Sequence, residues 1–360
     1  MSASLPIAVV GAGAWGTALA ALLAKKGHTV TMWSYEPEIA ESINQRHQNP
    51  YLSDVSLPEE LRAETELALA VRGASVVLSA SPSQFVRPVM AEAAGNLADG
   101  ALIVSASKGI ELGSLLCMDK VLDGVLSHAH MQRFCALSGP SFAKEVAAAS
   151  PTAVVVAGRT EEAAEQAQDI FQTSYFRVYT NTDVTGVELG GALKNVMALA
   201  AGITVGLGYG HNTMAALITR GLAEMTRLGV AMGSESATFS GLAGIGDLVL
   251  TCTGALSRNR TVGLRLGQGE SLAEILADMT AVAEGVKTAA AVHELAARHG
   301  VEMPIVEQVY QIVNEDKNPA DALKALMLRD PKPEDWKCAN RDSDGRAHRE
   351  EGLLLHRGGV

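Results

Sequence analysis

The chain has no surplus of positive charge: 29 lysines and arginines stand against 40 aspartates and glutamates in 360 residues, a formal net charge of −11. A surface of that sign repels phosphate backbones and anionic lipids, so no nucleic-acid partner is expected and any phosphate must be held locally. Cysteine is scarce. Its four copies, Cys117, Cys135, Cys252 and Cys338, form no CxxC pair and no metal-finger spacing. That excludes a disulfide framework and fits a reducing compartment, so a cytoplasmic location is expected. Met1–Pro6 has no basic stretch and does not read as a secretory leader. One long charge-free stretch, Asn195–Thr219, is broken by Gly202, Gly206, Gly208 and Gly210, so two buried helices are expected there instead of a membrane span. There is no G-x-S-x-G elbow, no G-x-x-x-x-G-K-[ST] loop and no internal repeat, so the hydrolase, P-loop and solenoid classes lack their signatures. His293-Glu294 begins like a zincin helix, but Ala297 stands where the second histidine belongs, and His128 and His130 have no acidic or cysteine cluster beside them. No metal site is expected.

Hydrophobic residues make up 48% of the chain and charged ones 19%, an ordinary globular balance, and the length suits about two domains of roughly 150 residues. Short β-rich apolar runs alternate with alanine- and leucine-rich segments as far as Val178, the pattern of a parallel sheet with crossover helices. The runs are Ile7–Val10, Thr29–Trp33, Ser75–Ser79, Leu102–Ser105, Phe134–Leu137, Ala153–Ala157 and Phe176–Tyr179. Beyond about Thr185 helical segments take over: Gly186–Gly202, Thr213–Gly229, Leu272–Ala277, Thr288–His299 and Ile305–Asn314. The expected class is α/β: a Rossmann-like doubly wound sheet domain over residues 1–185, then an all-α domain over 186–330. Residues 331–360, rich in charge and without apolar periodicity, read as a mobile tail.

Gly11-Ala12-Gly13-Ala14-Trp15-Gly16 follows the first strand and opens a helical run that ends at Gly27 before the second strand. Strand, glycine turn, helix and strand within about thirty residues is the dinucleotide-binding context. Gly11 permits the turn, Gly13 lets backbone approach a pyrophosphate and Gly16 lets the helix pack on the strand. The end of the second strand carries Ser34 and Tyr35 where NAD folds place an acid, with Glu36 just beyond, so NAD or NADP is open with a lean to NADP. Two polar loops follow later strands, Ser105–Ile110 with Lys108 and Ser138–Ala143 with Gly139 and Ser141, at the sheet edge where such folds bind ligands. Lys194 lies in the apolar helix Gly190–Ala198, where desolvation lowers a lysine toward the range useful for proton transfer. Asp247, in the glycine-rich stretch Gly241–Leu248, is its candidate partner. Ser257, Arg258 and Asn259 offer hydroxyl, guanidinium and amide donors suited to a phosphate dianion; Ser257 reads equally well as a helix cap.

Taken in order, these motifs resemble the bacterial-type NAD(P)-dependent glycerol-3-phosphate dehydrogenase family: GAGAWGTALA at Gly11–Ala20, SKGIE at Ser107–Glu111, SGPSFAKE at Ser138–Glu145, GGALKNVMALAAG at Gly190–Gly202, ALITRGLAEM at Ala216–Met225, GDLVLTCTG at Gly246–Gly254, SRNR at Ser257–Arg260 and EMPI at Glu302–Ile305. The resemblance implies interconversion of dihydroxyacetone phosphate and sn-glycerol 3-phosphate, in the service of phospholipid synthesis. It implies Lys194 as proton donor and acceptor held by Asp247. Lys108, Gly139, Ser141, Asp247, Ser257, Arg258 and Asn259 would contact the phosphorylated substrate. Trp15, Lys108, Ala143, Arg258, Val282 and Glu284 would contact the coenzyme beside the glycine turn. Two positions depart from the family's usual pattern, Ala14 for serine and Tyr35 for arginine or histidine, and both would touch the coenzyme. A related two-domain β-hydroxyacid dehydrogenase or ketoacid reductase is the alternative, sharing the glycine turn and lysine without needing Ser257-Arg258-Asn259. A homodimer through the helical half is expected.

Overall fold

The computed structural model describes residues 4–279, 283–331 and 333–334. The expected tail from Pro331 onward lies almost wholly outside the described residues, and Val282 lies outside them too. Eight strands form one sheet: β1 (Pro6–Val10), β2 (Thr29–Trp33), β3 (Arg62–Glu64), β4 (Val76–Ser79), β5 (Leu102–Ser105), β6 (Phe134–Ser138), β7 (Thr152–Gly158) and β8 (Phe176–Asn181). Their order is β3-β2-β1-β4-β5-β6-β7-β8. Seven match runs read from the sequence. β3 has no apolar run to betray it, because only Ala63 of its three residues is buried.

One expectation is corrected. The sheet is not parallel throughout: β6 and β7 pair antiparallel, Ser138 opposite Val155. The link between them holds only a five-residue helix, Ala143–Ala147. At 1.5 Å per residue such a helix advances roughly 7 Å, too little to carry the chain back along a strand of about 17 Å. β7 therefore starts at the edge where β6 ended, which keeps Gly139, Ser141 and Ala143 at the sheet's carboxyl edge.

β8 runs beside β7 in the same direction, and the long helix Val184–Gly206 begins where it ends. Asp183 caps that helix by accepting from Gly186 N at 2.8 Å. Lys194, ten residues into it, stands roughly 15 Å further on, back at the carboxyl edge. By length and composition this helix could cross a membrane, yet 89% of its apolar window is buried inside the protein, so it is the core of the helical half. After a break the chain continues as the helix His211–Ala231. The central helix packs most closely on the helix Arg258–Gly267, where Gly202 and Gly263 leave no room for a side chain against the facing backbone. Residues up to Leu328 pack as one compact unit.

Candidate active site

The glycine turn has the form its spacing implies. Gly11 takes φ +122°, a region hostile to other residues, and its N–H donates to Trp33 O at 3.1 Å, tying the turn to the end of β2. A Cβ on Gly16 would overlap Gly11 O, whereas one on Gly13 would meet open space. The helix Ala14–Lys25 starts there with no side-chain cap and no acid in its first turn, so its leading N–H groups and positive dipole end face that space. The Trp15 indole N–H beside it is buried and without a partner. These features fit a dinucleotide pyrophosphate. At the end of β2, Ser34 is buried and its hydroxyl donates to Glu36 O at 2.9 Å, while Tyr35 is 80% exposed. The Glu36 carboxylate accepts from Tyr51 Oη at 3.2 Å.

Three charged side chains, Lys194, Asp247 and Lys108, meet in one cluster. Lys194 Nζ donates to Asp247 Oδ1 at 2.6 Å and to Thr251 Oγ at 2.9 Å. Lys108 Nζ, from the loop after β5, donates to the other oxygen, Asp247 Oδ2, at 2.7 Å and to Gly139 O at 3.2 Å. Thr251 also donates back to Asp247 O, one helical turn away. Burial pulls Lys194 down to about 8, against the pull of Asp247 and with the push of Lys108. Burial by itself would raise Asp247, but the two ammonium groups outweigh it and hold the carboxyl below the usual range. The result is a buried carboxylate with one lysine on each oxygen, of which Lys194 sits near neutrality and can change protonation during a reaction.

Of the substrate set expected from the sequence, Gly139 touches this cluster through Lys108, and Asn259 is tied to Asn195, next to Lys194. Ser257 caps the helix Arg258–Gly267, its hydroxyl accepting from Arg260 N at 3.2 Å; its own O–H remains available to a ligand. Arg258 is exposed in the first turn of that ten-residue helix, and Asn259 is buried behind it. Ser141 Oγ donates to Gly139 O, and Gly139 holds φ +132° against Val154. Ala143, half-buried, begins the short helix that packs on Ala14–Lys25.

Comparisons with known proteins agree. The family description "NAD-dependent glycerol-3-phosphate dehydrogenase N-terminus" matches residues 6–164, and its C-terminus counterpart matches residues 183–324. The chain belongs to the NAD-dependent glycerol-3-phosphate dehydrogenase family. It is 59% identical to a glycerol-3-phosphate dehydrogenase [NAD(P)+] of Geobacter metallireducens over 329 residues, covering 91% of this chain and 98% of that one. A crystal structure of glycerol-3-phosphate dehydrogenase from Coxiella burnetii superposes with a TM-score of 0.86 at 40% identity, covering 91% and 99% of the two chains. A ketopantoate reductase from Ralstonia eutropha shares the fold alone, with a TM-score of 0.58 at 18% identity over 89% of this chain and all of that one. The reductase alternative is not favoured.

Two neighbours, Asn49 and Ser83, and one pairing, that of Lys108 with Asp247, have no clear mark in the sequence. Asn49 is fully buried and its Nδ2 donates to Ala12 O and Thr17 Oγ, both at 2.8 Å, bracing the glycine turn. Its only signal was a lone asparagine before Pro50. The sequence marks Lys108 as a point charge at the sheet edge and, by the resemblance, a contact of substrate and coenzyme, but its pairing with Asp247 across 139 residues has no local trace. Ser83 N, beyond β4, donates to Glu284 Oε1 at 3.1 Å and joins the two halves.

Proposed function

We propose that the chain reduces dihydroxyacetone phosphate to sn-glycerol 3-phosphate, and catalyses the reverse, with NAD(P) as coenzyme. The observation that carries this reading is the Lys194–Asp247–Lys108 cluster, with Lys108 on the loop that leaves β5 at the same sheet edge as the open glycine turn after β1. Residues 1–185 would hold the nucleotide and 186–330 the substrate and the proton donor. Gly11, Gly13, Ala14, Trp15 and Gly16 would hold the pyrophosphate, with Tyr35, Lys108, Ala143, Arg258, Val282 and Glu284 along the rest of the coenzyme. When bound, the reduced nicotinamide supplies the hydride that the ketone carbon takes up. Arg258 and Asn259, at a helix N-terminus, anchor the substrate phosphate and so orient that carbon. Lys194 gives its proton to the carbonyl oxygen as negative charge develops there, becoming a neutral amine whose proton is restored from solvent. In the reverse direction the neutral amine accepts the hydroxyl proton. Asp247 keeps Lys194 aimed, and Lys108 keeps a positive charge beside the developing alkoxide throughout. General-acid transfer and charge stabilisation each contribute about 10² to 10⁴ in rate.

The lean to NADP stands as part of this reading: no carboxylate occupies the last position of β2, and Glu36 is engaged by Tyr51. Comparing kcat/KM for NADPH and NADH tests it, and a clear preference for NADH would reverse it. The product is the phosphorylated glycerol backbone of phospholipids, so a role in their synthesis is proposed. A cytoplasmic location accords with Cys117, Cys135 and Cys252, all buried and free. A homodimer through the helical half is proposed. Sedimentation at twice the 37.6 kDa chain mass supports it, and a monomer at micromolar concentration contradicts it.

A further inference from the structure

The amide of Asn259 is doubly engaged inside the protein. Its Nδ2 donates to Asn195 Oδ1 at 2.9 Å, and its Oδ1 accepts from Gly285 N at 3.0 Å, leaving one N–H for a ligand. Asn195 follows Lys194 on the central helix. Gly285 follows Glu284, whose carboxylate accepts from Ser83 N in the loop beyond β4. Contact along this path is backbone-tight: a Cβ on Gly285 would stand 2.6 Å from Asn195 O and 2.9 Å from Asn259 Oδ1. At the far end the loop is bound to the glycine turn's own strand, since Ala80 N and Ser81 Oγ both donate to Val10 O, one residue before Gly11. The half-buried Glu284 carboxylate is thus tied to a backbone N–H of the other half.

We propose that Glu284, beyond the coenzyme contact that the resemblance implies, is a latch from the helical half to the β4 loop, through which a phosphorylated substrate on Arg258–Asn259 and a dinucleotide on the glycine turn tighten each other's binding. The proposal rests on the reading of those two sites given above. A phosphate oxygen taking the last N–H of Asn259 fixes its amide, hence the Gly285 backbone, hence Glu284 against Ser83. A dinucleotide orders the same loop from the other side. Each ligand then meets a partly ordered site, and linkage makes the gain equal in both directions, here about tenfold.

The test is an equilibrium titration of NADPH or NADH, whichever binds more tightly, followed by fluorescence without and with saturating sn-glycerol 3-phosphate, a pair that cannot react. Ser83→Pro removes the N–H of the latch. Pro82 already holds ψ 141°, as a following proline requires, and residue 83 opens a short helical turn where proline is tolerated. Ser83→Ala keeps the N–H. Wild type and Ser83→Ala should show the tenfold tightening, and Ser83→Pro less than twofold. Should Ser83→Pro not fold, Glu284→Gln, which keeps an acceptor, should retain the coupling that Glu284→Ala loses. Coupling that survives in Ser83→Pro or Glu284→Ala, or a wild type that binds both ligands independently, overturns the latch. A wild type that binds neither ligand overturns the latch and the proposed function together.

Discussion

Lys194 is held at 8% exposure by a helix with no polar neighbour to spare except Asn195, and its ammonium finds Asp247 and Thr251 on a different helix. Lys194→Ala should lower turnover by at least a thousandfold while the coenzyme dissociation constant changes little, measured by steady-state kinetics beside fluorescence titration. Retention of a tenth of the wild-type rate contradicts its role. Because burial brings Lys194 to about 8, the ketone-reducing direction needs the protonated form: kcat/KM should be level below that pH and fall tenfold per unit above it. The oxidising direction should rise toward the same pH. Asp247→Asn leaves two ammonium groups facing a neutral amide. That pushes Lys194 lower still, moves the limb of the reduction profile to lower pH, and costs about 3–5 kcal/mol of stability in denaturant titration. Arg258→Ala should raise KM for dihydroxyacetone phosphate most, and an unchanged KM contradicts it as the phosphate anchor. At this scale the sequence showed which residue types mattered. A lysine in an alanine–glycine helix and an aspartate in a glycine stretch are conspicuous because each is costly to bury unpaired. It could not show that Lys108 completes the cluster, since that pairing depends on the β6–β7 reversal and on the packing of two helices.

Elements meet in this protein through backbone more than through long side chains. A Cβ on Gly190 would overlap Ala243 O in the turn Leu242–Gly246, which leads directly into Asp247. Gly190→Ala should therefore cost about 1–3 kcal/mol and lower kcat by displacing Asp247, checked by urea titration and steady-state rates. Elsewhere the helix Pro304–Asn314 has no side-chain cap of its own. Glu224, nearly fully buried, serves instead by accepting from Ile305 N at 2.8 Å and Val306 N at 3.2 Å. Burial raises Glu224 to about 7 from an ordinary 4.5, only partly offset by those N–H groups. Between these values the folded chain binds the extra proton. Stability from this group is thus full below about 4.5 and is lost as pH rises through about 7. Glu224→Gln should flatten that part of the stability–pH curve; an unchanged slope contradicts the assignment. The β-rich runs and long helices were legible because periodicity and length announce them. The helix Arg258–Gly267 was only half legible, because Ser257 reads as a cap but the polar first turn after it reads equally well as a ligand-binding loop.

For the whole molecule, composition excluded much: a chain of net charge −11 that holds a phosphorylated ligand needs its cations gathered locally, and the structure sets Lys108 and Lys194 around one carboxylate. The doubly wound plan was readable from alternating strands and helices. Its antiparallel exception was not, because strand direction leaves no mark on the apolar pattern. That exception matters, as β7 and β8 run back to the opposite edge, from which the helix Val184–Gly206 carries Lys194 to the edge where β1, β4 and β5 end. The most direct test of the account follows the loss of near-ultraviolet absorbance of NADPH and NADH with dihydroxyacetone phosphate across pH 6 to roughly 10, for wild type and Lys194→Ala. The account predicts rapid oxidation of at least one coenzyme by wild type, a fall governed by a group near 8, and almost none by the variant. A wild type inert toward this ketone, or a variant that follows the same pH curve at a comparable rate, would contradict it.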